Sequence, residues 1–174
     1  MDLMRFLVEI VFDLFLMVVL LRIWMQVARA DFYNPLSQFV VKVTNPLVQP
    51  LRMALPMAGR WDLASLVLAW LVGIGKYVVL SAIIGIPFMW GDILVIGTLS
   101  VLSQFLDLLF WIVLIRALLS WFAQGYNPMI ALLQQLTEPF LAPIRRIIPP
   151  IGGLDLSVLV LIIAIQAVRI VIGV

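Results

Sequence analysis

Cysteine and histidine are both missing from the 174 residues. Without them the chain forms no disulfide and offers neither a thiolate nucleophile nor an imidazole base. It also lacks the usual ligand sets for zinc and haem. Charge is scarce as well. Only 11% of the residues are Asp, Glu, Lys or Arg, where soluble domains carry about 25%. No Walker A loop, dinucleotide-binding glycine pattern or metal-ligand spacing occurs. The expectation is therefore a protein that is not an enzyme and takes no cofactor and no metal. A formal net charge of +2 is small, and no nucleic-acid partner is expected.

What is present is apolar: 65% of the residues, with a mean hydropathy of +1.21. The expected partner is the lipid bilayer itself. Four apolar stretches run over Leu3–Ala28, Leu63–Ile86, Ile93–Phe122 and Leu154–Val174. Each reaches the roughly 20 residues that a spanning helix needs. The fold class expected is an all-α membrane protein with four transmembrane helices. The third stretch is the longest, so it is tilted or begins at the interface. Ala28-Arg29-Ala30 looks like a signal-peptidase site. The run before it exceeds the ~7–15 residues of a signal core and carries Glu9 and Asp13, so it reads as a span.

The two halves, 1–92 and 93–174, repeat one pattern. Asp13 and Arg22 correspond to Asp107 and Arg116. Asn34-Pro35 corresponds to Asn127-Pro128. Pro46, Pro50 and Pro56 then correspond to Pro139, Pro143 and Pro149, Thr44 to Thr137, and Arg52 to Arg145. Gly59, Asp62 and Lys76 match Gly152, Asp155 and Arg169. From Asn-Pro onward every match shares an offset of 93, with a slip of one residue before it. Each unit is a span, a proline-punctuated segment (34–56 or 127–150) and a second span. Two spans per unit give both units the same orientation, which predicts two parallel repeats about a pseudo-two-fold axis along the membrane normal.

This order of Asn-Pro, then Thr-x-Pro-x-x-x-Pro-x-Arg-x-x-x-Pro, then Gly and Asp before an apolar run, resembles the YggT family over about residues 3–174. The resemblance implies two YggT repeats in an inner-membrane protein. It also implies an association with osmotic-stress tolerance and potassium uptake. Relatives are linked to division and envelope organisation, or in plastids to cytochrome assembly and nucleoid distribution. It implies no catalytic residues.

Orientation follows from the basic residues. The first long loop holds Arg29, Lys42, Arg52 and Arg60, and the third holds Arg145 and Arg146, while the short loop 85–92 has none. Basic loops stay cytoplasmic, so both termini are expected in the periplasm. Within the loops, Leu36, Phe39, Val40, Val43 and Leu47 recur at helical spacing, as do Met129, Leu132, Leu133, Leu136 and Phe140. Each set predicts an amphipathic helix of about three turns lying along the interface. Thr44-Asn45 and Thr137-Glu138 read as caps of a second short helix that starts at Pro46 or Pro139. The prolines are then hinges of an elbow. Arg52, Arg145 and Arg146 are placed to reach lipid phosphates, partner proteins or the last helix carbonyls.

Ionisable groups inside spans are costly and need partners. Asp13 and Lys76 both fall about 21–22 Å from the cytoplasmic end at 1.5 Å per residue, and the same spacing matches Asp107 with Arg169. These intramembrane pairs either fix helix register or line a cation path. Bases balance acids, which favours register, because cation paths use uncompensated acids or carbonyl rings. Glu9 is the one spare carboxylate, since Ser103 occupies its counterpart. Arg22 and Arg116 point away from Asp13 and Asp107, toward Asp62 and Asp155 or toward the surface. Ser65, Ala69 and Gly73 make a small-residue stripe suited to close helix packing. Trp61 and Trp90 read as interfacial anchors, and Trp70 and Trp111 as bundle packing. The functional expectation is envelope or membrane-complex support through partner binding to other membrane proteins or a homo-oligomer. The alternative is a small cation transporter or channel component.

Overall fold

The computed structural model describes residues 2–55, 57–122, 127–149 and 155–173. Pro56, Pro150, Gly152 and Leu154 therefore lie outside the described residues. Six helices account for nearly all of the rest: α1 (Asp2–Val27), α2 (Pro35–Ala54), α3 (Leu63–Ile84), α4 (Trp90–Phe122), α5 (Pro128–Ile147) and α6 (Leu156–Ile172). α3 and α4 are each long and apolar enough to cross a membrane, and α6 is apolar but spans 17 residues. α1 has 26 residues and carries Arg5, Glu9, Asp13 and Arg22.

The expectation of an all-α chain needs one correction. Between α2 and α3 the chain makes a small antiparallel hairpin, β1 (Met57–Ala58) with β2 (Trp61–Asp62). Gly59 turns it at φ 61°, a left-handed value that glycine adopts without a Cβ clash.

The elbows are also simpler than the prolines suggest. Each is one continuous 20-residue helix, with Pro46 and Pro50 inside α2 and Pro139 and Pro143 inside α5. A proline in a helix leaves the carbonyl four residues earlier without its amide partner. The two prolines of each helix are four apart and all four are exposed, so the residues that break the helix bonding lie at the surface. The helices start earlier than expected. Asn34 and Asn127 are the N-caps, accepting from Leu36 N and Met129 N, with Pro35 and Pro128 in the first turn. Thr44 and Thr137 are not caps. They are buried mid-helix and bond back to Val40 O and Leu133 O.

α3 packs along both α1 and α4. The small-residue stripe is one side of that contact, and Gly97 is the other. A Cβ on Gly73 would sit 2.8 Å from Gly97 O, and one on Gly97 would sit 2.9 Å from Ile74 Cα. Backbone meets backbone there, so neither position has room for a side chain. α2 lies against α1 and α3, and α5 against α4 and α6. Trp24, 4% exposed, joins the halves: its ring packs edge-on against Phe105 and Phe140, and Nε1 donates to Leu136 O at 3.0 Å. Trp111 does not pack in the bundle as expected. It is 57% exposed and touches Phe110 edge-on.

Candidate functional site

The acid–base residues of each half come together. Lys76 Nζ donates to Asp13 Oδ1 at 2.7 Å, joining α3 to α1. Arg169 Nη1 lies 2.7 Å from Asp107 Oδ1, joining α6 to α4. Glu9 is not the spare carboxylate expected. Arg5, one helical turn earlier, places Nε 3.7 Å from Glu9 Oε1, the ordinary i,i+4 pairing on a helix surface. A polar cavity of about 360 Å³ adjoins the first pair, lined by Asp13, Lys76, Tyr77, Ser100, Ser103 and Gln104 among others. Asp107 and Arg169 do not line it.

The second constellation sits where each elbow meets its long helices. In the first half, Arg22 Nη1 donates to Thr44 Oγ1 at 2.6 Å and to Asn45 Oδ1 at 2.8 Å. Its Nε is 4.0 Å from Asp62 Oδ2. The same carboxylate oxygen accepts from Arg52 Nε at 3.1 Å and from Ser65 Oγ at 2.8 Å. Arg52 therefore turns toward Asp62 and bonds it, while its side chain stays 37% exposed. Ten residues separate the two in sequence, and the hairpin at Met57–Asp62 turns the chain so that Asp62 meets Arg52. Burial works against the Asp62 carboxylate. The hydrogen bonds from Arg52 and Ser65 and the charges of Arg52 and Arg22 outweigh it and hold its pKa below the ordinary aspartate value.

The second half repeats this plan with two changes: Glu138 replaces Asn45, and Ser157, the counterpart of Ala64, bonds the aspartate where Ser65 does in the first half, Val158 standing at the Ser65 position. Arg116 Nη1 donates to Thr137 Oγ1 at 2.6 Å. Arg145 Nε donates to Asp155 Oδ2 at 3.0 Å, so Arg145 also turns inward. Glu138 stands where the first half has Asn45. It accepts from Arg145 Nη1 at 3.0 Å and lies 3.6 Å from Arg116 Nη2. Asp155 caps α6, accepting from Ser157 N and Ser157 Oγ. Its carboxyl is again held low, because the bonds from Arg145 and Ser157 and the charge of Arg145 outweigh its burial. Arg146 is exposed on the outer side of α5.

An apolar cleft of about 520 Å³ opens between the halves. α1, α3, α4 and α5 line it, with Trp24, Trp61, Trp70, Phe105 and Phe140 supplying most of the wall. Trp70 Nε1 donates to Thr98 Oγ1 across one side at 2.9 Å.

The acid–base pairs follow from helix depth, and the inward Asp62 and Asp155 from the duplication. Reading the sequence did not find the part of Thr44, Asn45, Thr137 and Glu138 as receivers of Arg22, Arg116 and Arg145. The signal was there: Arg22 with Thr44 and Arg116 with Thr137 recur as sets in both halves. A threonine beside a proline reads locally as a cap, and that reading hid it.

A CCB3/YggT family model matches residues 1–83 and again 95–174. The chain is 52% identical over 175 residues to the protein in the proC 3' region of Vibrio alginolyticus, covering 99% of this chain and 95% of that one. It is 42% identical over 170 residues to YggT of Escherichia coli strain K12, covering 97% and 88%. A shorter match of 66 residues at 35% identity joins it to the chloroplastic YlmG homolog protein 2 of Arabidopsis thaliana, over 38% of this chain and 26% of that one. No solved structure matches.

Proposed function

Because the chain belongs to the CCB3/YggT family, we propose that it is a four-span inner-membrane protein that supports envelope or membrane-complex function under osmotic stress by binding other membrane proteins. In this reading α1, α3, α4 and α6 cross the bilayer as two parallel repeats, 1–92 and 93–174. α2 and α5 lie at the cytoplasmic interface, and both termini are periplasmic. The twofold match of the family model supports the repeat layout, and the basic loops support the orientation. A reporter that works only in the periplasm should be active after Val174 and silent near Gln134. The reverse result removes the orientation.

The observation that carries the partner reading is where the charges and the apolar surface lie. Asp13 and Asp107 are each held by a base, and the polar cavity at Asp13–Lys76 stops short of Asp107–Arg169. A cation path uses uncompensated acids or carbonyl rings. The elbow α2, by contrast, presents Phe39, 55% exposed, one turn from the cationic Lys42, and near its other end Met53, 86% exposed. Exposed apolar surface rimmed by charge is what a partner covers.

The second reading is a component of cation uptake, favoured by that polar cavity with Ser100, Ser103 and Gln104 beside the ion pair. Rescue of a deletion strain after hyperosmotic shock separates the two. Arg52 and Arg145 are unsuitable probes, since each holds a carboxylate of its own elbow. Phe39→Ser with Met53→Ser should abolish rescue at normal abundance, whereas Asp13→Asn with Lys76→Met should preserve it. The cation reading expects the opposite, together with ion flux in proteoliposomes. A deletion strain that recovers like its parent removes both.

A further inference from the structure

The lining of the cleft between the halves ends at residues adjacent in sequence to two arginines that the elbow networks do not use. It is lined on α1 from Leu20 to Ala28 and on the neighbouring elements from Trp61 to Trp70. At 1.5 Å per residue that is a trough about 12–14 Å long. Its floor is hydrocarbon and aromatic, and Thr98, whose hydroxyl is already bonded, is its one polar side chain apart from the indole N–H groups. At one end the lining stops at Ala28 and Trp61. The next residue outward on each strand of chain is an arginine, Arg29 after Ala28 and Arg60 before Trp61. Both are exposed, and among the described residues neither has an ion-pair partner. The two lie on adjacent elements, since Gln26 Nε2 near the end of α1 rests 3.9 Å from Met57 Sδ of the hairpin. Asp31, two residues after Arg29, accepts from Tyr33 N within its own turn and forms no ion pair with either arginine among the described residues.

From this we infer that the cleft is a binding site for an anionic phospholipid, with an acyl chain along the trough and the phosphate between Arg29 and Arg60. The occupant follows from the two ends together. A trough this long and this apolar takes a hydrocarbon chain, and an exposed arginine next to each of the two residues that end its lining suits an anionic headgroup. Arg29 also has φ 53°, a left-handed backbone value that is uncommon outside glycine, asparagine and aspartate. It ends α1 where a helix-stopping residue without charge would serve as well, and the arginine adds a cation at the mouth. The site rests on the membrane reading above, which the topology fusions test separately. It does not depend on the osmotic-stress phenotype.

The cleft tryptophans give a direct readout. A protein with Trp90→Phe, Trp111→Phe and Trp121→Phe keeps fluorescence from Trp24, Trp61 and Trp70 alone, all of which line the cleft. It is reconstituted in phosphatidylcholine vesicles with a rising fraction of phosphatidylglycerol brominated on its acyl chains. Quenching should saturate, at a mole fraction about ten-fold below that needed with brominated phosphatidylcholine. Arg29→Asn, which suits the left-handed position, with Arg60→Gln should bring the two curves together. Ala28→Phe should reduce quenching by both lipids. Superimposed curves in the protein with its arginines intact would mean unselective filling and overturn the site. Absence of quenching by either lipid would mean that protein, such as a second copy, covers the cleft, and would overturn it too. A preference that survives loss of both arginines would place the headgroup elsewhere. Native mass spectrometry of the unaltered protein from mixed vesicles checks the same point without variants, and equal retention of the two lipids refutes the preference.

Discussion

The two elbow networks share a plan and differ in where their charge ends up. In the first, Arg22 and Arg52 surround Asp62, with Asn45 as a neutral acceptor. In the second, Arg116 and Arg145 meet two carboxylates, Asp155 and Glu138. The first is closed: the side chains of Arg22 and Asp62 are 5% and 0% exposed. The second is open: Glu138 and Asp155 are 48% and 34% exposed. The exchanges between the halves, Asn45 for Glu138 and Ser65 for Val158, thus go with a fully buried carboxylate in the first elbow and two part-exposed carboxylates in the second. A carboxylate costs far more to bury than an amide, so the half with fewer charges is the one that closes.

The contact between halves is equally one-sided. Trp24 on α1 reaches Leu136 and Phe140 on α5. Its counterpart Leu118 on α4 is exposed, as are Val43 and Leu47 on α2. A two-fold arrangement makes every contact twice, so the pseudo-two-fold expected from the duplication does not hold at this seam. α4 has 33 residues to the 26 of α1, and α4 packs across the halves on α3, while α1 makes no comparable contact with α6.

The widest gap between the halves should appear on deleting the elbow aspartates. Asp62→Ala leaves Arg22 and Arg52 without their carboxylate in a closed site, a change worth about 3–5 kcal/mol. Asp155→Ala removes a partly hydrated partner and should cost about 1 kcal/mol or less after solvent screening. Thermal unfolding in detergent reads both, and equal losses would refute the burial account. Acid should act in the same order. Both carboxyls are held low in the folded protein, so the stability they give is complete above the unfolded aspartate value of about 3.9. It is lost as pH falls from there through the folded values. Unfolding temperature should therefore drop below about pH 4, and Asp62→Ala should flatten that drop more than Asp155→Ala.

Next in size is the helix crossing. Gly73→Ala forces α3 away from Gly97 O and Val101 and should cost about 1–3 kcal/mol. The counterpart change on α6, Gln166→Ala, should stay within about 0.5 kcal/mol. A tolerated Gly73→Ala would mean that α3 and α4 are not in backbone contact.

The smallest effect sharpens the elbow comparison itself. Glu138→Asn gives the second elbow the acceptor of the first and should shift stability by less than about 1 kcal/mol, because Glu138 is half-exposed. If that exchange also lowers hydrogen exchange at α5, the residue type drives closure. If exchange rates are unchanged, the seam with α1 drives it.

Much of this was legible in the sequence for one reason: the chain carries its own alignment. The duplication identifies Asp62 with Asp155 and Arg52 with Arg145, and helix rise alone matches the depths of Asp13 and Lys76. Apolar run length located α1, α3, α4 and α6 and helical spacing the two elbows, although each elbow was divided in two, because a proline removes a hydrogen bond wherever it stands and local sequence does not say whether the helix continues through it. What only the tertiary structure decided is how two similar halves became unequal. The packing of α4 on α3 through Gly73 and Gly97, the one-way contact of Trp24, the closure around Asp62 and the cleft ending at Arg29 and Arg60 all depend on which face of one half meets the other. Periodicity fixes which residues share a face. It carries no term for the neighbour that the face will find, and that neighbour sets which buried charge must be matched and which stays wet.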